Sequence, residues 1–151
     1  MIAIYKAKFA FPYTKNDVIM KEEGKIIPQA IINTVELACL ERHYVHWDEG
    51  VNYETLSKPV VYSQFDFLDE ITPEFEVDLS LKADKEGKVN GLKITTFTKL
   101  NDNLIVGPLP MLNPPLLIPL DEKFVKVNDL IRVKLKYIMG KGIESIETSY
   151  L

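Results

Sequence analysis

The sequence predicts a mainly β protein, an antiparallel β-barrel or sandwich with one or two short helices. Three observations predict it. Short runs along the chain alternate apolar and polar residues at period two, the pattern of a half-buried strand. Clusters of glycine, asparagine and aspartate separate those runs at the spacing of an all-β fold. No strand–helix–strand unit is legible, and the seven glycines contain neither a G-x-G-x-x-G nor a Walker pattern, so no nucleotide-binding turn is expected.

At 151 residues the chain fits one domain with a sizeable core,. Its expected division is an N-terminal appendage over residues 1–20 and a barrel-like domain over 21–151. A net charge of −4 argues against a nucleic-acid or anionic-membrane surface,. The basic residues alternate with apolar ones, as Lys126, Arg132, Lys134 and Lys136 do, and read as the wet face of a strand. Cys39 is the single cysteine, which excludes an internal disulfide and fits a reducing cytoplasm,. It lies among Val35, Leu37, Ala38 and Leu40 and reads as a buried, inert thiol. The start, Met1 to Lys6, meets a charge too early for a signal peptide. No window approaches the roughly 18 apolar residues of a membrane span.

Taken in order, Met1 to Phe11 suits a strand or a short amphipathic helix, and Pro12 to Asp17 breaks it. Lys21 to Lys25 is a turn, and Ile26-Ile27-Pro28 leaves it extended. Ala30 to Glu41 fits both periods, and its β-branched residues Ile31, Ile32, Thr34 and Val35 favour a strand. Arg42 to Gly50 reads as irregular and Asn52 to Leu56 as one helical turn. Val60 to Phe67 is a strand entered through Pro59. Phe75, Val77, Leu79 and Leu81 form an apolar row opposed by Glu76, Asp78, Ser80 and Lys82. After Asp84 to Lys88, Leu92 and Ile94 begin a second row that Thr96 continues, so a long antiparallel hairpin is expected over Phe75–Phe97. Gly91 marks a bulge or a close backbone approach within it. Leu104 to Val106 is a short strand closed by Gly107-Pro108. Pro110, Pro114, Pro115 and Pro119 should prevent continuous pairing as a central strand. Phe124-Val125 precedes a turn at Val127 to Asp129. Ile131, Val133, Leu135 and Tyr137 form a half-buried strand, and Ile143 to Tyr150 returns after Gly140-Lys141-Gly142. Neither an internal repeat nor a low-complexity segment is present.

Few residues suggest chemistry. His43 and His46 are the metal-ligand candidates, followed by Asp48 and Glu49, but histidines three apart share a face only on a helix, so no metal is expected. Asp66 and Asp69 would serve as an acid–base pair only with pKa values driven apart, and a turn cap is the simpler role for Asp66. Ser57, Ser63 and Ser80 lack a nucleophile elbow. Tyr44, Trp47, Tyr53, Tyr62, Phe65 and Phe67 form an aromatic-rich run that suits either a pocket wall or a barrel interior.

The order of these pieces resembles the C-terminal β-barrel domain of protein arginine methyltransferases and their bacterial and archaeal relatives, which are class I S-adenosylmethionine enzymes. Gly24 to Pro28 looks like the family's exit from the catalytic domain. Trp47-Asp48-Glu49-Gly50-Val51-Asn52-Tyr53 is similar to its W-x-x-x-x-G/N-[FY] segment. Leu56 to Val61 and Gln64-Phe65-Asp66-Phe67 resemble its run into x-x-F-D-F. Gly87-x-x-x-Gly91 with Phe97, Gly107 to Pro110, and Phe124 to Leu135 follow in the family's order. The resemblance spans roughly residues 20–140. It implies a wall for substrate, with Trp47, Tyr53, Tyr62 and Asn113 as wall candidates, and a self-association surface. The family's cofactor-binding domain is missing here, so no cofactor is expected in this chain and no catalytic residue is assigned. Asn113-Pro114-Pro115 stands where the family often carries a His-Trp pair. The partners implied are a second copy of the chain, as a homodimer, and a separate SAM-binding catalytic domain. The rival expectation is a free-standing barrel that binds a small ligand or a protein.

Overall fold

A computed structural model describes residues 26–109 and 113–151. They form two antiparallel sheets packed face to face, as the strand pattern predicts. The larger sheet is built on two long central strands, β1 (Ala30–Leu40) and β6 (Gly87–Asn101). Each carries two shorter strands on its outer edge. β3 (Tyr53–Thr55) and β4 (Val60–Asp66) pair with the two halves of β1. β7 (Leu104–Val106) and β8 (Leu116–Val125) pair with the two halves of β6. β2 (His46–Trp47) adds to the far edge of β8. The smaller sheet has the order β10 (Glu147–Tyr150), β9 (Leu130–Ile138), β5 (Glu74–Lys82).

The core lies between the sheets. Val35 and Leu37 of β1, Leu92 and Ile94 of β6, and Leu116, Ile118 and Leu120 of β8 face Leu79 and Leu81 of β5 and Val133 and Leu135 of β9. The period-two rows read from the sequence are the rows that are buried. Removing these side chains from water supplies the main drive to fold. No helix among the described residues is long and apolar enough to cross a membrane.

The expected hairpin over Phe75–Phe97 is not formed. Both of its strands exist, but β5 pairs with β9 and β6 pairs with β1, β7 and β8. The segment between them carries the chain from one sheet to the other. A second crossing, from β8 to β9, lies beside the first. The Asn128 N–H donates to the Ala83 carbonyl at 2.8 Å and the Ala83 N–H to the Asp129 carbonyl at 2.9 Å. Asn128 takes φ of 75°, a left-handed conformation that asparagine tolerates better than most residues.

Several smaller expectations change as well. Asn52 to Leu56 is not helical, because residues 53–55 ladder onto β1. Arg42 to Gly50 is irregular except for β2. The returning segment 143–150 starts as a 3-10 turn at Ile143–Ser145, the one helical element among the described residues, before β10 begins. Pro119 lies inside β8, paired opposite Gly91 on one side and without a ladder on the other, so the proline-rich segment supplies a strand that is not paired continuously on both sides, as expected. Cys39 is half-buried rather than buried. Gly91 has the close approach expected of it. A Cβ there would clash with a Leu40 methyl and come within 2.8 Å of the Ile118 carbonyl oxygen. The register also shifts between Val89 and Gly91. There the side chain of Asn90 replaces a strand, accepting from the Leu40 N–H at 2.6 Å and donating to the Leu40 carbonyl at 2.9 Å. The turn over 21–25 and the appendage over 1–20 lie outside the described residues, as do the glycine and lysine of the Gly24 to Pro28 match and Pro110 of the loop match.

Candidate functional site

Two clusters gather the polar and aromatic residues, one on each face of the larger sheet. The first lies between the sheets. Successive residues of a strand face opposite ways, so Asn33 shares the inward face of β1 with Val35 and Leu37. It meets Thr96 of β6 and Ser63 of β4, its cross-strand partners on either side. Thr96 Oγ1 donates to Asn33 Oδ1 at 2.8 Å, and Asn33 Nδ2 donates to Ser63 Oγ at 2.9 Å. The hydroxyls of Tyr62, Tyr137 and Ser63 hydrogen-bond to one another beside this pair. Burial pushes both phenols up, Tyr62 well above the ordinary tyrosine value and Tyr137 to about 12. The charged form of each would lose its water with no cation to replace it. Phe75 stacks on Tyr137 at 4.8 Å and meets Phe65 edge-on at 5.6 Å. A cavity of about 20 Å³ lies among Tyr62, Tyr137, Asn33, Thr96, Ile118 and Ile146. That is room for about one water molecule, and polar atoms are there to hold it.

The second cluster is on the opposite face of the same sheet. Glu36 and Lys93 are directly opposed on β1 and β6, and Lys93 Nζ lies 3.0 Å from Glu36 Oε2 with side chains only 19% and 11% exposed. Lys93 Nζ also sits 5.6 Å from the centre of the Tyr53 ring, within the range of a cation–π contact. The Tyr53 hydroxyl donates to Asp48 Oδ2 at 2.9 Å. Burial, then the hydrogen bond to Asp48, then the charges of Asp48 and Glu36 push the Tyr53 phenol up to about 12.

The four wall candidates therefore do not share one site. Tyr62 belongs to the cluster between the sheets and Tyr53 to the cluster outside. Trp47, on β2, packs against the main core. Asn113 is buried, and its amide is committed to main chain, donating to the Thr96 carbonyl at 2.8 Å and accepting from the Leu109 N–H at 3.0 Å. His43 and His46 separate as well. His46 Nδ1 is 2.7 Å from the Tyr44 carbonyl, which can only accept, so Nδ1 carries the proton and the buried Nε2 has no partner among the described residues. His43 lines a surface groove instead. Among the described residues no three His, Cys, Asp or Glu side chains gather as metal ligands. Asp66 caps the turn after β4, accepting from the Leu68 N–H at 3.0 Å.

Sequence reasoning missed Asn33, Thr96, Tyr137, Glu36 and Lys93 as site residues. A signal was present. Asn33 and Glu36, with Thr34, are polar residues in a mostly apolar strand, and a polar side chain buried there requires a partner.

No protein-family model matches the chain. An uncharacterized protein of Methanocaldococcus jannaschii is 34% identical over 130 residues, which is 86% of this chain and 49% of that one. An uncharacterized protein of Methanothermobacter thermautotrophicus is 33% identical over 132 residues, 87% of this chain and 52% of the relative. The chain thus spans about half the length of these relatives. Among solved structures, a chain of the Trypanosoma brucei PRMT1 enzyme–prozyme heterotetrameric complex with AdoHcy superposes with a TM-score of 0.68 at 12% identity. The superposition covers 91% of this chain and 55% of that chain. At that identity the likeness is one of fold.

Proposed function

We propose that the chain is a non-catalytic barrel module of an arginine-methyltransferase-like protein, serving as a wall for substrate and as a surface for self-association. The cofactor-binding half is supplied by a separate stretch or chain. The observation that carries this reading is the proportion of the structural match, which takes in nearly all of this chain and about half of the PRMT1 chain. The order of sequence pieces from Trp47 to Leu135 supports it independently. Methyl transfer needs the donor carbon and the acceptor atom held in line in one closed site, and the described residues form no glycine-rich cradle for the donor.

Titration calorimetry of the purified chain with S-adenosylmethionine tests the division of labour. The expected result is no saturable heat. A saturable isotherm with a Kd below about 1 mM, equivalent to about −4 kcal/mol, overturns it. Light scattering tests the association surface, with a mass twice the 17.3 kDa of one chain expected. A monomer at high concentration overturns that part.

A further inference from the structure

The two sheets approach each other along β8 and β10, and the contact there is not a ladder. β8 pairs with β6 along one edge, whereas on its other edge only Leu116 and Leu117 are paired, to β2. Across the remaining edge Thr148 Oγ1 donates to the Pro119 carbonyl at 3.0 Å, and the Tyr150 hydroxyl donates to the Asp121 carbonyl at 2.8 Å. Both pairs are 29 residues apart, so β10 runs parallel to β8 here. Hydroxyls two residues apart on one strand meet carbonyls two residues apart on the other, in step with the strand period.

This geometry also accounts for Pro119. Its carbonyl faces the seam, whereas the Ile118 carbonyl faces Gly91 on β6. The N–H that proline lacks would point into the seam, where no ladder needs it. A groove of about 150 Å³ runs along the seam, lined by His43, Asp121, Ser149 and Tyr150 and reaching the core residue Leu120. On the inner side, Ile118 and Ile146 of the same two segments border the cavity beneath Tyr62 and Tyr137.

We propose that β10 is a latch, and that the molecule opens along the β8–β10 seam to join the outer groove to the cavity between the sheets. Local opening follows the boundary held by the fewest bonds. The seam is held by two neutral hydroxyl bonds and the Lys123 ammonium 5.4 Å from the centre of the Tyr150 ring, and β10 ladders onto β9 over four register pairs, whereas β1 and β6 are zipped over nine. The approach to β10 contains Gly140 at φ 79°, a backbone state that favours glycine.

Amide hydrogen exchange on the full chain tests the latch. The β10 backbone ladders onto β9, so the latch is read by its peeling from β9 once β8 lets go: Tyr150→Phe keeps the ring and removes one bond, and exchange over 147–150 should quicken about fivefold. Thr148→Val with Tyr150→Phe should quicken it about 25-fold, each bond contributing alike, while β1 and β6 exchange at their original rates. Ser149→Ala, whose exposed hydroxyl makes no bond among the described residues, should change nothing. Unchanged exchange in the double variant overturns the proposal. So does an equal rise in β1 and β6, or loss of the fold, because a latch leaves the rest of the molecule intact.

Discussion

The two sheets carry ion pairs built by the same rule and used differently. On the larger sheet Glu36 and Lys93 face each other across β1 and β6, almost out of water. On the smaller sheet Lys134 reaches Glu76 at 2.6 Å and Asp78 at 3.0 Å, and Lys136 reaches Glu76 at 3.1 Å, with side chains 28–52% exposed. Hydrogen bonds from Lys134 and then Lys136 hold the Glu76 carboxyl below its usual range, and those to Glu76 and then Asp78 hold the Lys134 ammonium above its own. Water screens this outer ladder, so its shifts say little about stability. The inner pair has lost its water, so each charge depends on the other. What the contrast teaches is that opposed charges on neighbouring strands do not by themselves mark an important site. Burial does.

The sharpest way to break the comparison is to remove one charge from each sheet. Lys93→Met should cost about 3 kcal/mol in urea unfolding, because it strands Glu36 in a dry setting. Adding Glu36→Gln should recover more than half of that loss. Equal losses in the single and double variants would show that the lysine stem, not its charge, matters.

Alkaline pH sharpens the same contrast between dry and wet groups. Tyr137 ionises at about 12 in the fold, and burial holds Tyr62 well above its ordinary value too, against about 10 for tyrosine in an unfolded chain. Their stabilisation is therefore complete below pH 10 and is lost as pH rises from 10 through 12. Tyr137 alone should account for roughly 3 kcal/mol of that loss. Urea midpoints measured across this range should fall, and should fall less steeply in Tyr137→Phe. An unchanged slope in that variant would count against the buried phenol.

The smallest effect is expected from Lys134→Ala on the outer ladder. Its removal should leave Tm within experimental error at physiological salt, since both carboxylates it contacts are already in water. A drop comparable to that of Lys93→Met would dissolve the distinction between the two sheets.

Much of the strand content was legible because a half-buried strand writes its period directly into the chain. β1, β4, β5, β6, β7 and β9 were all read within a few residues of their true ends. The candidate site was legible only in fragments. Tyr53 and Tyr62 were singled out as members of one wall, yet β1 and its neighbours hold them on opposite faces of one sheet. Asn113 was chosen by its place in a motif, and its amide proves to be tied to the Thr96 carbonyl and the Leu109 N–H. Asn33 and Glu36 passed as ordinary alternation because their partners, Thr96 and Lys93, lie about 60 positions away along the chain.

By itself the sequence determined most of the long strands, which face of each is apolar, and where the chain must turn, since these follow from period, β-branching and glycine or asparagine chemistry within a few residues, whereas β2, β3 and β8 were not legible. Only the tertiary structure decided which strands pair. β5 and β6, separated by four residues and expected to zip together, go to different sheets, β5 pairing with β9 and β6 with β1 over nine register pairs each. Pairing is a competition among distant edges for hydrogen bonds and buried area, and a local pattern does not record who wins it.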